Sequence, residues 1–191
     1  MKRNTTVTLE RLTHKDREWF ILENQRAFKY GATEEFGLRD DHFEDDGEII
    51  SRKTIERCID GEKNEAYIIM SEGERVGGLV LLIDTQTNHN HLELLFTLPE
   101  VHSRGIGYSA WREVEALHPE TEIWETGTPY FETRNIHFYV NRCGFHIVEF
   151  YNKFNPEPMP EFPDSEEADG HSDEEDSLHD GFFRFQKVMK G

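Results

Sequence analysis

The sequence predicts an α/β (α+β) domain, and three observations predict it. Short segments of alternating apolar residues recur along the chain, and stretches with helical apolar spacing lie between them. One strand-like segment also runs through a proline and a glycine-bearing loop straight into a helix. A chain of 191 residues suits one domain with a sizeable core. Apolar residues make up 36 %, low for a globular protein, but the shortfall is local. Residues 156–180 hold eleven Asp and Glu and no Lys or Arg, and supply −11 of the net −18, leaving −7 to the rest.

The elements follow in order. Thr6 to Leu12 alternates and reads as a strand; Asp16 to Phe28 reads as a helix ended by the Tyr30-Gly31 step. An acidic, aromatic stretch, Thr33 to Glu48, leads to a second helix over Ile50 to Ile59. Glu65 to Met70 and Gly78 to Ile83 read as a hairpin around Ser71-Glu72-Gly73-Glu74, and His91 to Leu98 as the next strand. Gly105 to Leu117 is a helix with Ile106, Ala110, Val114 and Leu117 along one face, stopped by Pro119. Glu122 to Thr126 is a short strand. Asn135 to Cys143 is a short helix, with Asn135 as N-cap and Gly144 after its end. Phe145 to Phe154 and Gly181 to Met189 are the last strands, and the acidic segment between them is expected to be a long, mobile connection.

Composition excludes several classes. A net negative chain lacks the Lys and Arg clusters that nucleic-acid binding needs, and mildly favours cationic partners. The longest apolar run, Leu79 to Ile83, is far too short to span a bilayer. Two cysteines, Cys58 and Cys143, make a poor disulfide framework, and with no secretory leader pattern the expectation is the cytoplasm. His171 and His179 lie among acids, but no spacing indicates a metal site.

The most informative stretch is His91 to Leu117. Leu92, Leu94, Phe96 and Leu98 read as one core-facing side of the strand, with His91, Glu93 and Thr97 on the other. Pro99 ends the pairing, and His102-Ser103-Arg104-Gly105-Ile106-Gly107 runs into the helix. Glycines at a helix start let backbone amides approach a phosphate, and Arg104 can add a charged contact; a tight turn with no ligand is the other reading.

This stretch resembles the pyrophosphate loop of the GNAT superfamily, (Gln/Arg)-x-x-Gly-x-(Gly/Ala), with His102 in place of the usual Gln or Arg. The resemblance implies a mixed, mostly antiparallel seven-stranded sheet flanked by about four helices, one N-acetyltransferase domain over 1–191. It implies that acetyl-CoA is the co-substrate, lying in a splay between the fourth and fifth strands. Backbone groups around Phe96 and Thr97 would bind its pantetheine arm. The amides from Ser103 to Tyr108, hence Ser103, Arg104, Gly105, Ile106, Gly107 and Tyr108, would bind its pyrophosphate. A later block, Asn135-Ile136-His137-Phe138-Tyr139-Val140-Asn141-Arg142-Cys143-Gly144-Phe145, is similar to the one whose Asn contacts pantetheine and whose Tyr lies near the thioester sulfur. Here Tyr139 stands five residues before Gly144 rather than four, so a half-buried core aromatic is the competing reading.

Direct attack by an amine needs a base and an acid to protonate the thiolate. Glu93 and His91 on the polar side of the cofactor strand are the candidates for the base, Tyr139 for the acid; Glu125 and Glu132 are further candidates. For Glu93 and His91 the alternative is a solvated residue on a partly open sheet. The acceptor expected is a small cationic amine or a peptide amine, and a homodimer stays open. Two rival readings are a non-catalytic acyl-CoA-binding module and an interaction protein that uses its acidic segment.

Overall fold

The computed structural model describes residues 6–35, 46–102, 104–130, 132–157 and 181–189. Ser103, most of the Thr33–Glu48 stretch and nearly all of the acidic 156–180 segment, with His171 and His179, lie outside the described residues. Seven strands form one sheet: β1 (Thr8–Arg11), β2 (Asn64–Ser71), β3 (Glu74–Leu82), β4 (His89–Thr97), β5 (Ile123–Pro129), β6 (His146–Tyr151) and β7 (Phe182–Val188). Their order is β1-β2-β3-β4-β5-β7-β6, and every neighbouring pair is antiparallel except β4–β5. Four α-helices flank it: α1 (Arg17–Tyr30), α2 (Arg52–Asp60), α3 (Ile106–Leu117) and α4 (Thr133–His137). The expected mixed, mostly antiparallel sheet with four helices is therefore the one built.

Local chemistry explains most boundaries. The β2–β3 turn places Glu72 and Gly73 at φ 52° and 82°, the two positive values a two-residue hairpin turn of matching twist requires. Ser51 caps α2 by accepting from the Thr54 amide, so that helix starts at Arg52 and not at Ile50. The Tyr30-Gly31 step does not stop α1 as expected. Gly31 keeps a helical φ of −58°, and the chain continues into a π-turn over Gly31–Glu35.

The sheet carries a core on each face. On one face α3 packs Trp111 against Trp124, ring centroids 5.3 Å apart and edge-on, with Phe145 and Phe185 also fully buried. Each such side chain contributes about 1.5–3 kcal/mol of burial. On the other face Phe20 and Ile21 of α1 and Ile55 of α2 cover Val80, Leu94 and Phe96. The α3 stripe departs from the sequence reading at its last turn, where Leu117 is 45 % exposed and Trp111 and Glu115 are buried instead. Glu115 is tolerable there because it accepts from Trp111 Nε1, Arg112 and Lys187, and Lys187 also donates to the Cys143 carbonyl at 2.7 Å.

One feature of β4 overturns its simple alternation. Leu92 pairs with Leu81 and Leu94 with Val80, so Glu93 is an extra residue, a β-bulge. The bulge switches the strand's faces. Leu92 packs in the α3 core, whereas Leu94, Phe96 and the partly buried Leu98 pack in the α1–α2 core. The four leucine and phenylalanine positions do not share one face, because an inserted residue resets a period of two.

Candidate functional site

β4 and β5 pair in parallel only through His89–Ile123, Asn90–Trp124 and His91–Glu125. Beyond these the strands part, because β4 stays zipped to β3 and β5 to β7 along their whole remaining lengths. Thr126 marks the fork, its hydroxyl donating to the Leu92 carbonyl at 3.0 Å. A cavity of about 810 Å³ opens from this fork, inside the range of about 300–1,000 Å³ usual for ligand pockets. Glu93, Phe96, Thr97, the start of α3, Asn135 and Tyr139 all line it.

At the Thr97 end the site is built for an anion. Gly105 takes φ +82° at the N-cap of α3, a left-handed conformation that glycine adopts without the Cβ penalty. The first helical bond runs from the Ser109 amide to Gly105 O, so the amides of Ile106, Gly107 and Tyr108 have no acceptor within the helix. They join the positive end of the helix dipole. Ile106 is buried, Gly107 lies under the Phe138 ring, and Arg142 stacks over Tyr108 at 5.2 Å. Arg104 is exposed on the loop beside them. His102 uses its side chain locally. Its Nε2 lies 3.1 Å from the Thr97 carbonyl and its Nδ1 lies 3.4 Å from Arg134 Nη1, and the tautomer with the proton on Nε2 satisfies both. Arg134 and Arg142 were not picked out from sequence, because nothing in their spacing marks them for a loop thirty residues earlier.

Asn135 is not the helix N-cap that the sequence suggests. α4 begins at Thr133, two residues earlier, and Asn135 reaches instead to Thr128 Oγ1 at 3.3 Å on the cavity wall. After His137 the helix opens into a π-turn over Phe138–Cys143, closed by Gly144 at φ +80°. A π-turn accommodates one residue more than an α-turn. That extra residue absorbs the five-residue spacing from Tyr139 to Gly144, and leaves Tyr139 facing the cavity and the Thr126 hydroxyl. Tyr139 is buried, and burial pushes its hydroxyl up to about 12, against the Thr126 hydrogen bond that works to lower it.

The opposite end is acidic. The bulge turns Glu93 out of the ladder into the cavity, roughly 13 Å along the strand from Thr97. His91 sits behind it, its Nδ1 3.5 Å from Glu93 Oε1 and its Nε2 3.0 Å from Glu125 Oε2. Glu125 is held in turn by Arg184 at 3.0 Å and by Gln186. Burial works to raise the Glu125 carboxyl, yet hydrogen bonds from Gln186 and His91 and the Arg184 charge outweigh it and leave it below its ordinary value. Glu93 and His91 are thus brought together, with Glu93 alone of the two on the cavity. The two cysteines are poor nucleophiles: burial, reinforced by Glu93, pushes the Cys58 thiol up to about 11, and burial pushes Cys143 up to about 12.

The arrangement matches known proteins along the whole chain. Residues 18–145 match the acetyltransferase (GNAT) family. The uncharacterized protein YrkN of Bacillus subtilis (strain 168) is 43 % identical over 190 residues, 99 % of this chain and 97 % of that protein. A Bacillus subtilis acetyltransferase solved in complex with CoA superposes with a TM-score of 0.61 at 13 % identity, covering 98 % of this chain and 100 % of that one. The ribosomal-protein-S18-alanine N-acetyltransferase of Escherichia coli gives 0.63 at 13 % identity, covering 97 % of each chain. Spermidine N-acetyltransferase of Vibrio cholerae, solved with CoA and spermine, gives 0.62 at 11 %, covering 96 % of this chain and 95 % of that one. At such identities these structures speak for the fold, while the family match and the closer relative speak for descent: the chain belongs to the GNAT acetyltransferase family.

Proposed function

We propose that the protein transfers an acetyl group from acetyl-CoA to a cationic amine, either a small amine or a peptide amine, by direct attack in a ternary complex. The observation that carries this reading is the polarity of the forked cavity, with the first amides of α3 and the guanidinium groups of Arg134 and Arg142 at one end and the bulged Glu93 at the other. The α3 amides, Arg134 and Arg142 suit the pyrophosphate of CoA, and the unpaired edge of β4 toward Thr97 suits its amide-bearing arm. Bound there, acetyl-CoA supplies the activated acyl group. Glu93 takes the ammonium proton, directly or through water, and Tyr139 protonates the departing thiolate. A thiol-only pair of cysteines supports direct attack over an acyl-cysteine route. The acceptors named for the Vibrio and Escherichia proteins, a polyamine and an alanine of ribosomal protein S18, support the acceptor class. Two cysteines unpaired with one another suit a reducing cytoplasm.

The test is an acceptor screen that reports CoA release, over polyamines, aminoglycosides and lysine-bearing or free-amino-terminal peptides. Calorimetry with acetyl-CoA runs alongside it. Tight acetyl-CoA binding with release on at least one cationic amine is expected. Binding without release on any acceptor would leave the chain a non-catalytic binder and refute the reading.

A further inference from the structure

Two protons leave one nitrogen when an ammonium becomes an amide, yet of the two carboxylates that line the cavity among the described residues, Glu93 and Glu132, Glu93 is the one in contact with His91. We infer that His91 and Glu125 form a proton relay behind Glu93, which clears the base after the first proton so that it can take the second. This rests on the reading in which Glu93 is the base.

The geometry fixes the direction. Glu125 Oε1 is occupied by Arg184 and Gln186, which leaves Oε2 to accept from His91 Nε2 at 3.0 Å. A carboxylate only accepts, so in the neutral ring the proton sits on Nε2 and Nδ1 presents its lone pair. That lone pair faces Glu93 Oε1 at 3.5 Å. Among the described residues, Leu82 stands opposite His91 on β3, and Cys58 of α2 faces Glu93 as a thiol. The lowered pKa of Glu125 keeps that partner ionised as the ring becomes cationic. The His91 side chain is 38 % exposed, so a proton it receives can pass on to water.

The protons balance as follows. An ammonium N–H bond breaks and an O–H bond forms on Glu93; that O–H breaks and Nδ1–H forms on His91, leaving an imidazolium between two carboxylates. The amine then forms the C–N bond as the C–S bond breaks, the sulfur takes the Tyr139 proton, and the second N–H proton goes to the vacated Glu93. Tyr139 regains a proton from water, and one proton appears in solvent overall. An acceptor that arrives neutral gives up one proton only and needs no relay.

The experiment compares spermidine, an ammonium, with aniline, neutral near pH 7, as probe acceptors for the wild type, His91→Gln, Glu125→Gln and Glu93→Gln. Acetyl-CoA affinity by calorimetry shows that each variant is folded. The spermidine-to-aniline ratio of kcat should fall by about tenfold or more in the His91 and Glu125 variants, while Glu93→Gln loses about 10²-fold on both amines. Nitrogen-15 shifts of the neutral His91 ring in the wild type should report the proton on Nε2. An unchanged ratio in His91→Gln, an equal loss on both amines, or a proton on Nδ1 overturns the relay while leaving Glu93 as base. A Glu93 variant that turns over like the wild type removes the reading on which the relay rests.

Discussion

Replacing Tyr139 by Phe removes one hydroxyl from a buried ring and separates its chemical duty from its structural one. The ring packs against Phe145 and Phe185 at 5.7 and 5.6 Å, and Phe keeps both contacts. What goes is the hydrogen bond with Thr126, worth about 1 kcal/mol. Near neutral pH the variant should therefore be slightly less stable, should bind acetyl-CoA as the wild type does, and should lose about 10²-fold in kcat if the hydroxyl protonates the thiolate. The alkaline range gives a second, independent reading. Burial raises this hydroxyl from 10.0 to about 12, so the folded protein holds the proton where the unfolded chain has lost it. A group raised in this way contributes stability that is complete below pH 10 and disappears as pH climbs to about 12. That span corresponds to about 3 kcal/mol, which exceeds the lost hydrogen bond, so the two stability curves should cross. Urea denaturation of both proteins across this range measures the difference directly and cancels the lysines they share. Parallel curves would refute the burial argument, and unchanged kcat would take Tyr139 out of the chemistry.

Three further outcomes are expected. Glu93→Gln should lower kcat by about 10²-fold, with acetyl-CoA affinity retained in calorimetry. Gly105→Ala should cost about 1–2 kcal/mol in denaturant unfolding because φ +82° is strained for any residue with a Cβ, and Gly105→Glu should also abolish acetyl-CoA binding by placing a carboxylate at the helix start. Lys187→Met should destabilise by about 3 kcal/mol, the low end for breaking a buried pair since Arg112 and Trp111 remain on Glu115; adding Glu115→Gln should restore part of it.

The parts legible in the sequence were those with local causes. Alternation and the Glu72-Gly73 turn locate the β2–β3 hairpin, and Pro99 with Gly105 locates the break between β4 and α3. Elements whose limits depend on distant partners were not. β5 runs three residues past its expected end because β7 pairs with it as far as Pro129. The π-turn beneath Tyr139 left a one-residue anomaly in spacing, readable only as a question until the helix register was seen. The bulge was silent, since Leu92, Leu94 and Phe96 look like one stripe whether or not Glu93 is counted in the ladder. Glu125 is opposite His91 only through a parallel register between strands more than thirty residues apart, and no local pattern announces that.

The bulge also has a consequence for how this enzyme can change. The ladder of β4 is regular if Glu93 is passed over, with Leu92 opposite Leu81 and Leu94 opposite Val80, and neither core includes it. It is a position that folding does not consult. Substitutions there should alter the charge facing the cavity at nearly constant melting temperature, which relaxes the usual trade-off between stability and activity at this one position. A strand whose neighbouring residues are locked into two separate cores thus carries, between them, a side chain that faces the cavity and packs in neither.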